Sequence, residues 1–230
     1  MLKTLQNAFK IKEIREKLLY TFFMLVVIRL GSQLPIPGVD TKFFAELFAR
    51  QSSDAFGFFN TITGGSFTNM SVFALSITPY ITSSIIMQLL TIAIPKLEEM
   101  QREGEDGRKK IAEYTRYLTV GLALMQSIAM SVGFGGRGLL IDFNAVSVIV
   151  AIATMTSGSA MLMWIGERIT ERGVGNGISI VLLFNIISTL PSDMITLYER
   201  FLVGKNVPVA TVSLIIILAI ILAMVGFVIV

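Results

Sequence analysis

Polar and apolar positions in this chain alternate in long blocks, not residue by residue. Apolar windows cover residues 18–34, 72–94, 118–132 and 146–165, and a further one covers 211–230. A helix needs about 20 residues to cross about 30 Å of hydrocarbon, so these blocks predict membrane spans. Residues 177–190 form a shorter block with Asn185 inside, which composition alone reads as a buried or re-entrant helix. Counting it as the fifth span and 211–230 as the sixth makes the loop charges alternate. With the N-terminus inside, the inner segments hold Lys3, Lys10, Lys12, Arg15 and Lys17, then Lys96, Arg102, Arg108, Lys109, Lys110 and Arg116, then Arg168 and Arg172. The outer segments hold Lys42, Arg50, Arg137, Arg200 and Lys205. The inner excess predicts a cytoplasmic N-terminus and six spans.

Composition agrees with the blocks. Of 230 residues, 53% are hydrophobic and 15% charged, with a mean hydropathy of +0.74, against about 25% charged in soluble domains. The expected fold is all-α, a polytopic membrane helix bundle. Cysteine and histidine are absent, which excludes disulfides, thiol chemistry and ordinary zinc sites. Residues 1–17 combine basic residues with Glu13 and Glu16, and no small-residue cleavage site follows. They predict an uncleaved amphipathic surface helix on the cytoplasmic side, not a secretory signal. A chain ending at Val230 within an apolar run predicts an incomplete protein.

Pumps, proton-coupled carriers and intramembrane enzymes keep ionisable groups within their spans for chemistry. Here every carboxylate falls in a loop or at a span end, so enzymatic chemistry and a bound cofactor or metal are not expected. Arg29 is the one clear charge inside a span. It reads either as a snorkelling or carbonyl-paired side chain or as a charge lining an aqueous cavity. The segment "FFNTITGGSFTNMS" (58–71) fits neither a span nor a hydrophilic loop. Irregular backbone at membrane depth needs burial in protein or a wet cavity, so the segment is a re-entrant helix or an outer-surface amphipathic helix. After it, Ile77, Ile81 and Ile85 form an i, i+4 stripe broken by Pro79. Such a stripe is lipid-facing, core, or an apolar constriction that gates by dewetting. The glycines of 173–177 lack the strand and Lys-Ser/Thr of a phosphate loop, leaving a tight cytoplasmic turn over 166–176. Residues 95–117 read as a solvated cytoplasmic hairpin whose basic end can meet anionic lipid or ribosomal RNA.

Four stretches, "RLGSQLPIPGVD" (29–40), "GGSFTNMSVFALSITPYITSSIIMQLL" (64–90), "EGEDGRKKIAEYTRY" (103–117) and "MWIGERITERGVGNGIS" (163–179), resemble, in order and spacing, the SecY family of bacterial protein-conducting channels. The resemblance covers nearly the whole chain. It implies one half of an inverted-repeat clamshell plus a sixth span, with spans seven to ten missing. It also implies that, within an external segment at 35–71, the residues Phe58, Phe59, Asn60, Thr61, Ile62, Thr63, Gly64, Gly65, Ser66, Phe67, Thr68 and Asn69 form a plug. Ile77, Ile81 and Leu182 would take pore-ring positions, Leu182 standing where relatives commonly carry isoleucine. Ile85, Gln88 and Gln126 would belong to a lateral gate, and Arg102, Arg108, Lys109 and Lys110 would contact cytoplasmic partners. The implied function is passage of unfolded secretory polypeptides across the bacterial inner membrane and lateral release of apolar helices into it. The implied partners are the SecE and SecG subunits, the SecA ATPase or the ribosome as the driving source, signal sequences and nascent chains, and membrane lipid.

Two rivals remain at this stage. A secondary transporter with a broken helix would use Pro79 and Gly64-Gly65, but the spans offer no acid for a coupling ion. A structural scaffold subunit would make the ring and plug positions replaceable without effect.

Overall fold

The computed structural model describes residues 11–43, 46, 54–201, 217, 219, 220 and 222–227. Most of the amphipathic N-terminal segment and most of the 211–230 window lie outside the described residues. The helices are α1 (Lys12–Gly31), α2 (Asp54–Ile62), α3 (Thr78–Ala93), α4 (Pro95–Arg102), α5 (Glu105–Phe134), α6 (Ala145–Arg172) and α7 (Gly177–Phe201), with a π-helical turn at Gly135–Leu139 after α5. Among the described residues the extended backbone amounts to two isolated bridges, Pro35 with Ser71 and Val39 with Leu140. The chain divides into two units, Met1–Ile187 and Ser188–Val230.

In the first unit α5 packs against both α3 and α6, and α1 packs against α6. Small polar residues line these contacts. On α5 the buried residues include Thr115, Thr119, Ala123, Ser127 and Ser131, one every four residues, and on α3 they are Pro79, Ser83, Met87 and Thr91. Four residues is close to one turn, so each set forms one stripe. Hydroxyls inside helices are tolerated because they return to the preceding turn: Thr119 Oγ1 donates to the Thr115 carbonyl (2.7 Å) and Ser83 Oγ to the Pro79 carbonyl (2.7 Å). A hydroxyl pair bridges α5 and α6, Ser127 Oγ and Thr156 Oγ1 lying 2.9 Å apart. Many large apolar side chains also face outward, among them Phe22 and Phe23 on α1, Met125 on α5 and Ile149 on α6. Small and hydroxyl residues inside with bulky apolar residues outside is the arrangement hydrocarbon favours, since lipid gives apolar side chains no reason to hide.

Close helix crossings require glycine at particular points. A Cβ on Gly158 would sit 2.0 Å from the Val72 carbonyl oxygen, and one on Gly177 would sit 2.0 Å from the Gly166 carbonyl oxygen.

Several predicted boundaries are corrected. The 72–94 window is helical only from Thr78, because Ser76 takes a left-handed φ of 53° that no continuous helix accommodates. Residues 95–117, read as a solvated hairpin, are largely helical. They hold α4, bent 101° from α3, and the first turns of α5. Pro95 stands at the first position of α4, where its missing N–H costs nothing, and Gly104 at φ 90° turns the chain between α4 and α5. The predicted 118–132 span is therefore the middle of a 30-residue helix. The turn predicted over 166–176 shrinks to 173–176, since α6 runs to Arg172. Among the described residues three helices, α5, α6 and α7, are long and apolar enough to cross a membrane, or up to four if α3 and α4 count as one broken span.

The second unit contains the last part of α7, beyond the predicted 190 boundary. Pro191 cannot donate a backbone hydrogen bond, yet the helix continues. Ser192 Oγ donates to the Thr189 carbonyl (2.7 Å) and Thr196 Oγ1 to the Ser192 carbonyl (2.9 Å), hydroxyls returning to the preceding turn as they do on α3 and α5.

Candidate functional site

The re-entrant segment is a helix with a built stop. α2 spans Asp54–Ile62, and Gly64 and Gly65 follow at φ 67° and 82°. Gly65 N–H donates to the Asn60 carbonyl (3.0 Å) and Gly64 N–H to the Thr61 carbonyl (3.1 Å). This is the paired closure of a helix C-terminus that left-handed residues allow. Asn60 also reaches across the turn: its Oδ1 accepts from Thr68 N–H (3.3 Å) and from Thr68 Oγ1. The Phe59 and Phe67 rings meet edge-on at 5.1 Å. Within the predicted plug of residues 58–69, burial is uneven. Phe58 is 68% exposed, while Thr63, Ser66 and Phe67 are buried, Phe67 in a core with Met70, Leu75, Ala123 and Met130. Arg29, from α1, donates from Nη1 to the Gly64 carbonyl at 3.1 Å. Of the two readings that sequence left open for Arg29, the structure shows pairing with a backbone carbonyl.

The downstream flank of the segment is pinned. Ile36 N–H donates to the Met70 carbonyl and Val72 N–H to the Leu34 carbonyl, each at 2.9 Å, while Asp40 N–H donates to the Leu139 carbonyl at 2.8 Å. The 34–40 loop thus ties the stretch before α3 to the end of α5. Downstream, the left-handed Ser76 is held from two helices: its carbonyl accepts from Ser159 Oγ (3.2 Å) and its Oγ from Asn185 Nδ2 (3.1 Å). Sequence reasoning missed this trio. Its available signal was Asn185, a strong hydrogen-bonding side chain in an apolar block.

Beyond Ser76 the aliphatic stripe divides. Ile77 is 0% exposed and packs with Ile28, Phe73, Leu162, Ile165, Ile169 and Val181. Ile81, Ile85 and Leu182 instead line one cavity of about 520 Å³. Two of the three predicted ring residues therefore share a space, and Ile77 does not reach it: as the residue before α3, it turns into the helix interface. The other end of the cavity is polar, with Tyr80, Arg116, Glu167, Thr170, Glu171 and Asn176. Arg116 Nε donates to Glu167 Oε1 at 2.8 Å, joining α5 to α6. That hydrogen bond, ahead of opposing desolvation, raises the Arg116 pKa above its ordinary value, so the guanidinium stays charged. Asn176 caps α7 by accepting from Ile178 N–H at 3.0 Å, and Val174 N–H donates to Thr21 Oγ1 at 3.2 Å, fixing the turn against α1.

The predicted gate residues do not share one cavity. Ile85 lines the cavity, Gln88 is exposed on α3, and Gln126 lines a second, largely apolar cavity of about 420 Å³ with Phe59, Phe67, Leu75, Met130 and Phe134. The basic residues Arg102, Arg108, Lys109 and Lys110 are exposed around the α4–α5 turn, where Arg102 pairs with Glu98 and Lys109 with Glu105.

These features define a class, an α-helical membrane protein in which a re-entrant helix packs beside spans that line an apolar cavity with a charged mouth. The SecY family profile matches residues 71–230. The chain is 43% identical over 210 residues to the protein translocase subunit SecY of Bacillus subtilis, covering 90% of this chain and 48% of that protein. It is 45% identical over 181 residues to the SecY subunit of Pseudomonas aeruginosa, covering 79% and 41%. Two solved structures share the fold at 20% identity and a TM-score of 0.53, covering 82% of this chain and 38% of theirs: one described as the structure of a protein conducting channel, the other as Sec61 in the canine ribosome-channel complex from the endoplasmic reticulum. The chain belongs to the SecY family. It spans about half the length of the curated relatives it matches.

Proposed function

We propose that this chain supplies the first half of the pore subunit of a protein-conducting channel. In this reading the channel passes unfolded secretory polypeptides across the bacterial inner membrane and releases apolar helices sideways into it. The observation that carries the proposal is the cavity where Ile81 and Ile85 from α3 face Leu182 from α7 below the charged Arg116–Glu167 mouth. An aliphatic waist deforms around a passing chain yet excludes hydrated ions, because wetting a narrow apolar passage is unfavourable. The charged mouth lies toward the cytoplasm, as does the N-terminus by the distribution of basic residues. α2 and the turn after it act as the plug. The chain contributes no catalytic step, so the driving energy comes from a partner, the SecA ATPase or a translating ribosome docking on the basic α4–α5 turn. SecE and SecG complete the complex, with signal sequences, nascent chains and lipid as its clients.

The test is electrical. Ile81→Asn with Leu182→Asn in the assembled channel makes the waist wettable, and resting ion conductance in planar bilayers should rise several-fold. Conductance at the parental level would sink the waist assignment.

A further inference from the structure

We infer that Arg29 is the positioning residue that holds the plug in its seat, by pinning the single carbonyl around which the plug helix turns. The inference rests on the plug reading above and adds the group that sets how readily the plug leaves.

The geometry starts with the closure of α2. The carbonyls of Phe59, Asn60 and Thr61 are each taken by a backbone N–H of the turn, from Thr63, Gly65 and Gly64 respectively. The turn is thereby self-sufficient, and the Gly64 carbonyl is presented outward to α1, where Arg29 Nη1 takes it at 3.1 Å. Position is the second element. Gly64 and Gly65 both have left-handed φ, and they separate α2, whose Phe58 is exposed, from Ser66 and Phe67, which are buried. A cation on that carbonyl therefore acts at the junction between the part of the plug that can swing and the part fixed in the core. The third element is cost. Arg29 sits within the apolar α1 segment, where a guanidinium is tolerated only while its donors are satisfied. Swinging α2 about Gly64-Gly65 rotates the Gly64 peptide away from Arg29, and the charge then loses a strong acceptor in a poorly hydrated place. Arg29 itself is held from its own helix end, where Ser32 Oγ donates to its carbonyl at 2.7 Å. Plug release and loss of the Arg29–Gly64 hydrogen bond are one event.

The experiment is hydrogen exchange by mass spectrometry on the chain in lipid nanodiscs, for wild type and Arg29→Lys, Arg29→Gln and Arg29→Met. The 60–71 peptide carries the amides of Gly64, Gly65 and Thr68, and a peptide within α6 serves as control. Loss of a charge-assisted hydrogen bond should speed exchange in 60–71 by roughly ten- to a hundred-fold in Arg29→Met. Arg29→Gln should fall between, and Arg29→Lys, which keeps a charged donor, should return close to wild type, with the α6 peptide unchanged throughout. If Arg29→Met loosens the control peptide as well, the Gln and Lys variants decide. Unchanged exchange in 60–71, or Lys as fast as Gln, overturns the clamp. Resting conductance of the assembled channel bearing Arg29→Gln on the wettable Ile81→Asn, Leu182→Asn waist, compared with that waist alone, separates the two readings. Faster exchange without added conductance leaves the clamp standing and refutes the plug reading it rests on, whereas unchanged exchange refutes the clamp and leaves the plug reading untouched.

Discussion

Replacing Gly158 by alanine adds one methyl group at the place where α6 meets the stretch before α3. That Cβ would lie 2.0 Å from the Val72 carbonyl oxygen and 2.9 Å from its carbon. Carbon and oxygen normally approach no closer than about 3.3 Å, so the two backbones must part by about 1.3 Å. The obstacle is backbone and has no rotamer into which to retreat, and overpacking of this kind costs about 1–3 kcal/mol. Gly121 on α5 is the matching control, since its added Cβ meets nothing within 4 Å. There the same substitution gains helix propensity, about 0.8–1 kcal/mol. Gly158 also lies inside a helix, so the propensity gain is common to both sites and the two changes should differ by the overpacking cost, about 1–3 kcal/mol. Equilibrium unfolding in mixed micelles, followed through the single tryptophan, Trp164, measures both. If Gly158→Ala and Gly121→Ala fall within about 0.5 kcal/mol of each other, the close crossing is not where the structure puts it.

Three further outcomes follow from the same contacts. Asn185→Leu leaves the Ser76 hydroxyl without the amide that faces it and should destabilise by about 1–3 kcal/mol in the same unfolding assay, while the Asn185→Leu, Ser76→Ala pair should cost less than the sum of the two singles. Gly64→Ala forces a Cβ into the left-handed region at φ 67° and should cost about 1–2 kcal/mol, read as lowered stability with faster exchange in the 60–71 peptide. The Arg116–Glu167 pair has side chains 46% and 20% exposed, so a double-mutant cycle with Arg116→Gln and Glu167→Gln should return a coupling of about 0.5–1 kcal/mol that shrinks as salt rises.

The architecture was legible because the forces that set it act on composition. Apolar block length predicted the helices of α1, α3, α5, α6 and α7, and the glycine pair predicted the break after α2. Asn176-Gly177 marked a turn because an asparagine side chain caps the helix that follows it, as Asn176 does for α7. The errors have a common cause. Hydropathy stops where charge begins, but a helix does not, so α5 and α6 run past their apolar windows into charged turns. The non-helical start of the 72–94 window was invisible because it is imposed by Ser159 and Asn185, distant in sequence, on Ser76. The aliphatic stripe shows the same limit at the site. Periodicity places Ile77, Ile81 and Ile85 on one face of a helix, but α3 begins only after Ile77, and that residue turns into the core. Arg29 was recognised as unusual, and only the fold could supply its partner, the Gly64 carbonyl.

The central claim is that a translocating polypeptide passes the face shared by Ile81 and Leu182. The chain has no native cysteine, so single cysteines at Ile81, at Leu182 and at the outward-facing Ile149 can be placed in it within the assembled channel and oxidised against a secretory precursor stalled midway with one cysteine of its own. The account predicts disulfides to the precursor from Ile81 and Leu182 and none from Ile149. Silence at Ile81 and Leu182 while the precursor is demonstrably engaged would contradict it, and would reduce the cavity between α3 and α7 to ordinary helix packing.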